Sequence, residues 1–446
     1  MTGTKPEGYT QADAGTVVLP ASGQQESPVA RNRYYILAIL MLIYACNVLD
    51  RTVIVVILEP IKAEFDVSDG QLGLLTGLAF AGSFALAGIP IGVAADRFNR
   101  RNLLAACLIA WSAATAFCGA ARNFAQLMLA RVGVGIGEAG LTPAALSMIA
   151  DLFPARERAT ATSILYLAVP LGSFLAFMGG AWVTANYGWR YTFYAAAVPG
   201  LLLTVLFLLT VREPQRTSSK VGGPDVKSLP VSATLRFIVS QRSLMHIMMG
   251  TILGTLTNSG VGVFKTSFFL RVYEVPLSTV APILGVINAV FAVVGILSSG
   301  ILSDRMARLD ERWRSWVVAI CVAAYVPLIV AMAFSPTMTI SLCFAAGAAL
   351  IANAWNAPAY ALTYGLVAPR MRATTIALIM VLTNLIGFGL GPPLAGMLSD
   401  FFQDQFGKDA LRYSLSILVC CNIWAALHFF LSSLNLKREM ARAATL

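Results

Sequence analysis

The sequence predicts an all-α membrane protein with twelve transmembrane helices in two six-helix bundles, and three observations carry that prediction. Of 446 residues, 57% are hydrophobic and only 12% charged, and the mean hydropathy is +0.73. Such a chain would be an insoluble globule in water but suits lipid as its main solvent. Apolar runs long enough to cross a ~30 Å hydrocarbon layer as helices recur along its length. One long polar stretch divides these runs six from six.

Taken in order, residues 1–33 are polar and rich in Gly, Ser, Thr and Pro. They lack the basic and apolar start of a signal peptide and read as a disordered tail. The spans follow near 34–58, 70–95, 102–121, 125–150, 159–184 and 191–211, forming a first bundle over 34–211. Residues 212–242 contain RTSSKVGGPD, a turn-rich linker. Six more spans, near 243–273, 277–303, 315–334, 337–366, 371–399 and 411–436, make a second bundle over 243–436, followed by a tail at 437–446.

Charge orients the spans. Alternating the loops places 23 of the 32 Lys and Arg residues on the side of both termini and 6 on the other, which makes the termini cytoplasmic by the positive-inside rule. The net charge of +10 therefore lines membrane loops and needs no nucleic acid. Seven cysteines, all within apolar runs, read as small packing residues, and His246 and His428 read as solitary, near helix ends, with a satisfied or interfacial role. There is no phosphate-binding GxxxxGK[ST] loop and no recognisable nucleophile, base and orienter, so the chain is expected to be neither an ATP motor nor an enzyme.

Within the first span, Asp50 and Arg51 stand side by side in an otherwise mostly apolar run, YYILAILMLIYACNVLDRTVIVVIL. Charges at mid-membrane depth cost at least ~2.5–3.5 kcal/mol each, so they pair, face a water-filled cavity, or move protons or substrate. At a rise of ~1.5 Å per residue, Asp50 lies roughly 5 Å from the centre of the first span and Glu138 at the centre of the fourth. Burial favours a neutral carboxyl and a neighbouring arginine favours a charged one, so a contact that forms and breaks can load and release a proton. Permanent bridges, Asp50 to Arg131 or Glu138 to Arg51, that only lock the two helices together are the alternative.

Adjacent helical residues point ~100° apart, so Asp50 and Arg51 cannot both face one partner. Asn47 sits three and four residues before them, where its amide can support either. Arg131 and Glu138 are two turns apart on one face with Gly135 between them, and Gly133, Gly135 and Gly137 suit close helix packing. The planar guanidinium of Arg51 or Arg131 suits an anionic head group, or else serves as an internal counter-ion. In the seventh span Thr251, Thr255, Asn258, Gly262 and Lys265 form a polar stripe expected to face the cavity, with Lys265 snorkelling at the outer mouth. In the tenth, Asn353, Asn356, Tyr360 and Tyr364, with Trp355 beside them, read as cavity lining, although helix-to-helix hydrogen bonding would look the same.

The halves echo each other. After the second span comes Gly92-x-x-x-Asp96-Arg97-x-x-Arg100-Arg101, and 208 residues later, after the eighth, Gly300-x-x-x-Asp304-Arg305-x-x-Arg308. Pro154…Arg158-Ala159-Thr160 is similarly echoed by Pro369…Arg372-Ala373-Thr374. Repeated six-helix halves match a transporter architecture with the substrate site between them. From about residue 34 to 436 the chain resembles the major facilitator superfamily, with Asn99 in place of the glycine usual before Arg100-Arg101. Together with Asn47-x-x-Asp50-Arg51, Arg131-x-Gly133-x-Gly135-x-Gly137-Glu138-Ala139 and Ile149-Ala150-Asp151-Leu152-Phe153-Pro154, it resembles the spinster family.

That resemblance implies alternating access and export of sphingosine phosphate or lysophospholipids, with proton coupling. It favours Asp50, then Glu138, as proton carriers. Arg51, Arg131, Asn47, Asn258, Trp355, Asn356 and Tyr360 are then the expected substrate contacts. Gly92, Asp96, Arg97, Arg100, Arg101, Asp304 and Arg305 become a conformational latch, with Asp96 meeting the start of the eleventh span. The expected partners are an anionic amphiphile and membrane lipids, with a proton as coupling ion, no other cofactor, no metal and a monomeric state. The alternatives are a major facilitator exporter of drugs or organic anions, or a non-transporting membrane sensor.

Overall fold

The computed structural model describes residues 28–214, 231–368 and 371–444. The membrane-crossing order begins with α1 (Pro28–Val56), which starts six residues before the predicted span. After the short α2 (Leu58–Phe65), the second crossing is α3 (Asp69–Thr76) continued by α4 (Leu78–Arg97). Then come α5 (Arg100–Ala120), α6 (Phe124–Glu138) with α7 (Leu141–Leu152), α8 (Ala155–Tyr166) with α9 (Ala168–Tyr187), and α10 (Trp189–Thr210). Local chemistry sets several starts. Ser68 and Gln71 form a reciprocal capping box before α3. The unusual Asn99 accepts from the Asn102 N–H at 2.9 Å and caps α5.

The linker stretch expected over 212–242 contains a helix, α11 (Val231–Ser240), while its RTSSKVGGPD segment lies outside the described residues. The second half runs through α12 (Arg242–Val272), α13 (Leu277–Ala307), α14 (Trp313–Phe334), α15 (Met338–Ala352) with α16 (Asn356–Leu366), α17 (Arg372–Leu382), α18 (Gly389–Phe406) and α19 (Ala410–Ala444). A π-helical turn, Thr383–Phe388, joins α17 to α18. Among the described residues ten segments are long and apolar enough to cross a membrane. One of them, Thr374–Ala441, is broken near Gly407, whose φ of 53° lies in the left-handed region, so it crosses twice. The shorter apolar α15 crosses together with α16, which completes the expected twelve.

In the first half α1 packs on α9 and α10, and α5 on α6 and α10; in the second, α12 and α14 pack on α19. The halves meet along two seams, α3 with α18 and α9 with α13. The first seam is tight because both sides lack a Cβ. A Cβ on Gly73 would lie 2.4 Å from the Pro392 carbonyl oxygen, and one on Gly396 2.1 Å from that of Asp69. Large apolar side chains such as Leu86, Leu129, Leu209 and Phe401 are exposed on the outer faces, where lipid is the solvent.

Among the described residues, every ion pair between the halves lies on the face opposite the termini. There Arg271 of α12 binds Glu59 and Asp69. Ser399 Oγ of α18 donates to Asp69, and the backbone N–H groups of Asp69 and Gly70 donate to Asp400. That face is closed.

Candidate functional site

A cavity of about 1030 Å³ lies between the halves on the terminal side of this closure. Its walls are largely aliphatic and aromatic, with Val55, Phe177, Val263 and Ile296 among them. Asn258, Asn288, Asn353 and Asn356 supply amides. Among the described residues, the charged side chains on its lining are Arg51 and Lys265. The cavity thus combines mostly apolar walls with two cationic side chains and a few amides, the usual make-up of a small-molecule site.

Behind Arg51 lies the buried charge cluster. Asp50, Arg131 and Glu138 are each at most 2% exposed. The helical turn between neighbours decides the difference: Arg51 is on the cavity lining, while Asp50 turns away toward Trp111 and Thr115 of α5, within electrostatic reach of Arg131 and Glu138. Glu138 lies beside Asn47 and within reach of Arg51 and Arg131. A Cβ on Gly135 would sit 2.7 Å from the Phe80 carbonyl oxygen, so glycine lets α6 approach α4 and brings Arg131 and Glu138 into the cluster. No ion pair forms among the four within 4.0 Å, and neither carboxylate accepts a hydrogen bond. The locking bridges weighed from the sequence are therefore absent in this conformation.

The arginines are held instead by aromatic faces. The Arg51 guanidinium lies 4.8 Å from the Phe80 ring centroid and 5.0 Å from that of Phe388, and Arg131 lies 5.2 Å from Phe80. Phe80 thus serves both cations, a favourable arrangement for charges without a carboxylate partner. Phe388 belongs to the π-helical turn of the second half, so Arg51 touches both halves. Sequence reasoning missed both rings. The one available signal was a Phe among the small residues of the second span, and an aromatic in an apolar run carries little information.

In the second half, Asn258, Asn353 and Asn356 line the cavity, and the Tyr325 hydroxyl donates to Asn258 Oδ1 at 3.4 Å. Trp355 does not line it. Its indole N–H donates to the Ala352 carbonyl at 2.9 Å and its ring packs near Phe429. Tyr360 is half-buried and off the lining, and Tyr364 is 47% exposed. Lys265 does not snorkel to the outer mouth: its Nζ lies on the cavity wall and donates to Asn288 Oδ1 at 2.9 Å. The two histidines are not solitary either. Helices α12 and α19 pack together and bring His246 Nδ1 within 2.8 Å of His428 Nδ1.

The loop motif divides. Arg100 is buried, donating from Nη1 to Asp151 at 2.5 Å and to Ser147 Oγ at 2.9 Å, and from Nε to Glu213 at 2.9 Å. The Arg101 backbone N–H donates to the same Glu213 at 2.8 Å. Both residues tie together elements of the first half. Arg97 and Arg305 are exposed, Asp304 lies 3.9 Å from Arg314, and there is open space around Gly92 and Gly300. The side chain of Asp96 lies outside the described residues. Among the described residues, no group of three His, Cys, Asp or Glu side chains is placed to hold a metal ion.

The Major Facilitator Superfamily profile matches residues 40–392. A curated relative, an MFS-type efflux pump of Mycolicibacterium smegmatis, is 30% identical over 93% of this chain and 96% of its own length. The sphingosine-1-phosphate transporter SPNS2 of Xenopus tropicalis is 29% identical over 83% of this chain and 74% of its own. Among solved structures, a bacterial homologue of the human lysosomal transporter spinster, inward-facing and unoccupied, superposes with a TM-score of 0.84 at 31% identity. That match covers 94% of this chain and 99% of the homologue.

Proposed function

The chain belongs to the Major Facilitator Superfamily and is related to its spinster branch, and on that premise we propose that it is a proton-coupled transporter of lysolipid-like or sphingoid-phosphate amphiphiles. It is a multi-pass secondary transporter and not an enzyme. One observation carries the substrate class: Arg51 presents a guanidinium, supported on two aromatic rings, to a cavity whose walls are otherwise mostly apolar. The planar fork suits a phosphate head, and the walls suit an acyl or sphingoid tail.

Asp50 is the first candidate for the proton and Glu138 the second. In this conformation each carboxyl lacks a hydrogen-bond partner while Arg131 lies within electrostatic reach of both. A carboxyl that meets the arginine in one state and leaves it in another exchanges a proton with each cycle. Arg51, Asn258 and Asn356 are proposed to contact substrate directly. Asn47 and Arg131 are proposed to act from behind Arg51, and Trp355 and Tyr360 from outside the cavity wall. The loop residues Gly92, Asp96, Arg97, Arg100, Arg101, Asp304 and Arg305 are proposed to govern closure of the terminal side. The two six-helix bundles over 34–211 and 243–436 rock about the site, in a monomer with both termini cytoplasmic.

The test is transport in proteoliposomes under an imposed pH gradient, with lysophospholipids, sphingoid phosphates, sugars and antibiotics as the panel. Accumulation of single-chain phosphorylated lipids, abolished by collapsing the gradient, is the expected result. Uptake confined to sugars would overturn the proposal. A second reading, export of drugs or organic anions, rests on the efflux pump's 30% identity. Transport of the antibiotics, with no phosphorylated lipid moved, would favour it.

A further inference from the structure

We infer that Lys265, held by Asn288, is a second anion-recognition point, so that the cavity takes its ligand's head group between one cation from each half and selects a doubly charged phosphate monoester. The inference rests on the proposed amphiphile transport. Lys265 lies seven residues before the end of α12, and Arg51 five before the end of α1. With ~1.5 Å per residue, they sit roughly 10 and 8 Å below the closed face, at nearly one depth. Among the described residues, no carboxylate lies on the cavity lining and none lies within 4.0 Å of Lys265 Nζ. Its bond to the neutral Asn288 orients the ammonium without neutralising it.

Two cations on one largely apolar cavity wall, neither ion-paired within 4.0 Å among the described residues, favour a ligand that supplies two negative charges, since each then gains a charge-assisted hydrogen bond. A phosphocholine head is a diester with a single negative charge and would leave one of the two cations without an anionic partner. The asymmetry between the cations suits this division of labour. Arg51 is stacked and planar, whereas Lys265 is a compact point charge on a flexible stem, able to adapt to the second phosphate oxygen.

The experiment is equilibrium binding to the full-length protein in nanodiscs of three probes with one chain length: an alkyl phosphate monoester, an alkylphosphocholine and the alkyl alcohol. Lys265→Met should weaken the monoester about 10- to 100-fold, the usual cost of one charge-assisted hydrogen bond. The other two probes should change less than about threefold, which also reports an intact fold, and Lys265→Arg should restore most of the monoester affinity. Asn288→Ala leaves the charge but frees it, and should give a smaller monoester-specific loss. Equal loss for all three probes in Lys265→Met, or no loss for the monoester, overturns the inference. Failure of the wild type to bind any probe would instead overturn the amphiphile reading on which it rests.

Discussion

Arg271 and Asp69 are joined across the two halves by parallel hydrogen bonds, Nη1 to Oδ2 at 2.6 Å and Nη2 to Oδ1 at 2.7 Å. The same guanidinium donates to Glu59, and the fully buried Asp69 also accepts from Lys62 Nζ at 2.6 Å and Ser399 Oγ at 2.6 Å. A bidentate pair with its remaining lone pairs satisfied is the geometry in which burial of charge is repaid. The Arg271 bonds join α12 to α2 and α3, and the Ser399 bond joins α18 to α3, so they exist only while the face opposite the termini is shut.

Arg271→Met should therefore loosen that face. Breaking a buried pair by removing one partner typically costs about 3–5 kcal/mol. Lys62 still reaches Asp69, so the lower end is expected. Spin-label distances across the closed face should lengthen and broaden. Unchanged distances would show that the glycine-lined seam holds the face by itself.

Asp50→Asn should abolish pH-driven transport without loss of fold. No hydrogen bond to the carboxyl oxygens is formed in this conformation, and asparagine keeps the shape and an acceptor oxygen while removing a buried titratable group. Thermal midpoints equal to or above the wild type are expected, together with counterflow that no longer responds to pH. Normal pH-driven accumulation would remove Asp50 as the carrier, and Glu138→Gln would then be the next variant to assay.

Phe80→Leu keeps most of the apolar volume but removes the π face shared by Arg51 and Arg131. Each such contact is worth about 0.5–2 kcal/mol. Affinity for a phosphorylated amphiphile should fall several-fold while a neutral analogue binds as before. A parallel loss for both ligands in titration calorimetry would mean that the ring only fills space.

Glu64 offers a pH test outside the membrane. The Arg190 guanidinium at 2.5 Å and the Trp189 indole N–H at 2.7 Å hold its carboxyl below the usual range. A depressed folded-state value means the contribution is full above the unfolded carboxylate's pKa and fades as pH falls through the folded one. The difference in melting temperature between wild type and Glu64→Gln should shrink on acidification. A difference that stayed constant down to the acid limit would point to a packing effect.

The histidines supply a test of helix pairing. His246 and His428 are 2.8 Å apart at Nδ1, which requires one ring, neutral, to accept at an unprotonated Nδ1 while the other donates its Nδ1–H. His246→Ala should lower the melting temperature by the loss of one hydrogen bond, about 0.5–1.5 kcal/mol, and His428→Ala by a similar amount. In the double variant the two losses should fall short of additivity, and full additivity would mean that the rings do not act together.

What was legible in the sequence follows from interactions along one helix. Hydropathy over some twenty residues decides whether a segment crosses lipid, so the spans, the six-and-six division and the placement of Asp50, Arg51, Arg131 and Glu138 inside spans could be read directly. The broken crossings α6–α7 and α15–α16 and the turn at Gly407 did not change that count, since each break falls within or between hydrophobic runs.

Only the tertiary structure decided where each side chain points and what it meets. A ~100° rotation separates Asp50 from Arg51, and the packing of α1 against its neighbours alone puts Arg51 on the cavity and Asp50 against α5. The same holds for Phe80 beneath two arginines, Lys265 on Asn288 and His246 beside His428, contacts whose partners lie from 23 to 182 positions apart and which no local pattern records. The sequence by itself determined a twelve-span transporter with charges buried at mid-depth. Helix packing determined which of those charges a substrate can touch, because orientation about a helix axis is set by neighbouring helices and not by the helix itself.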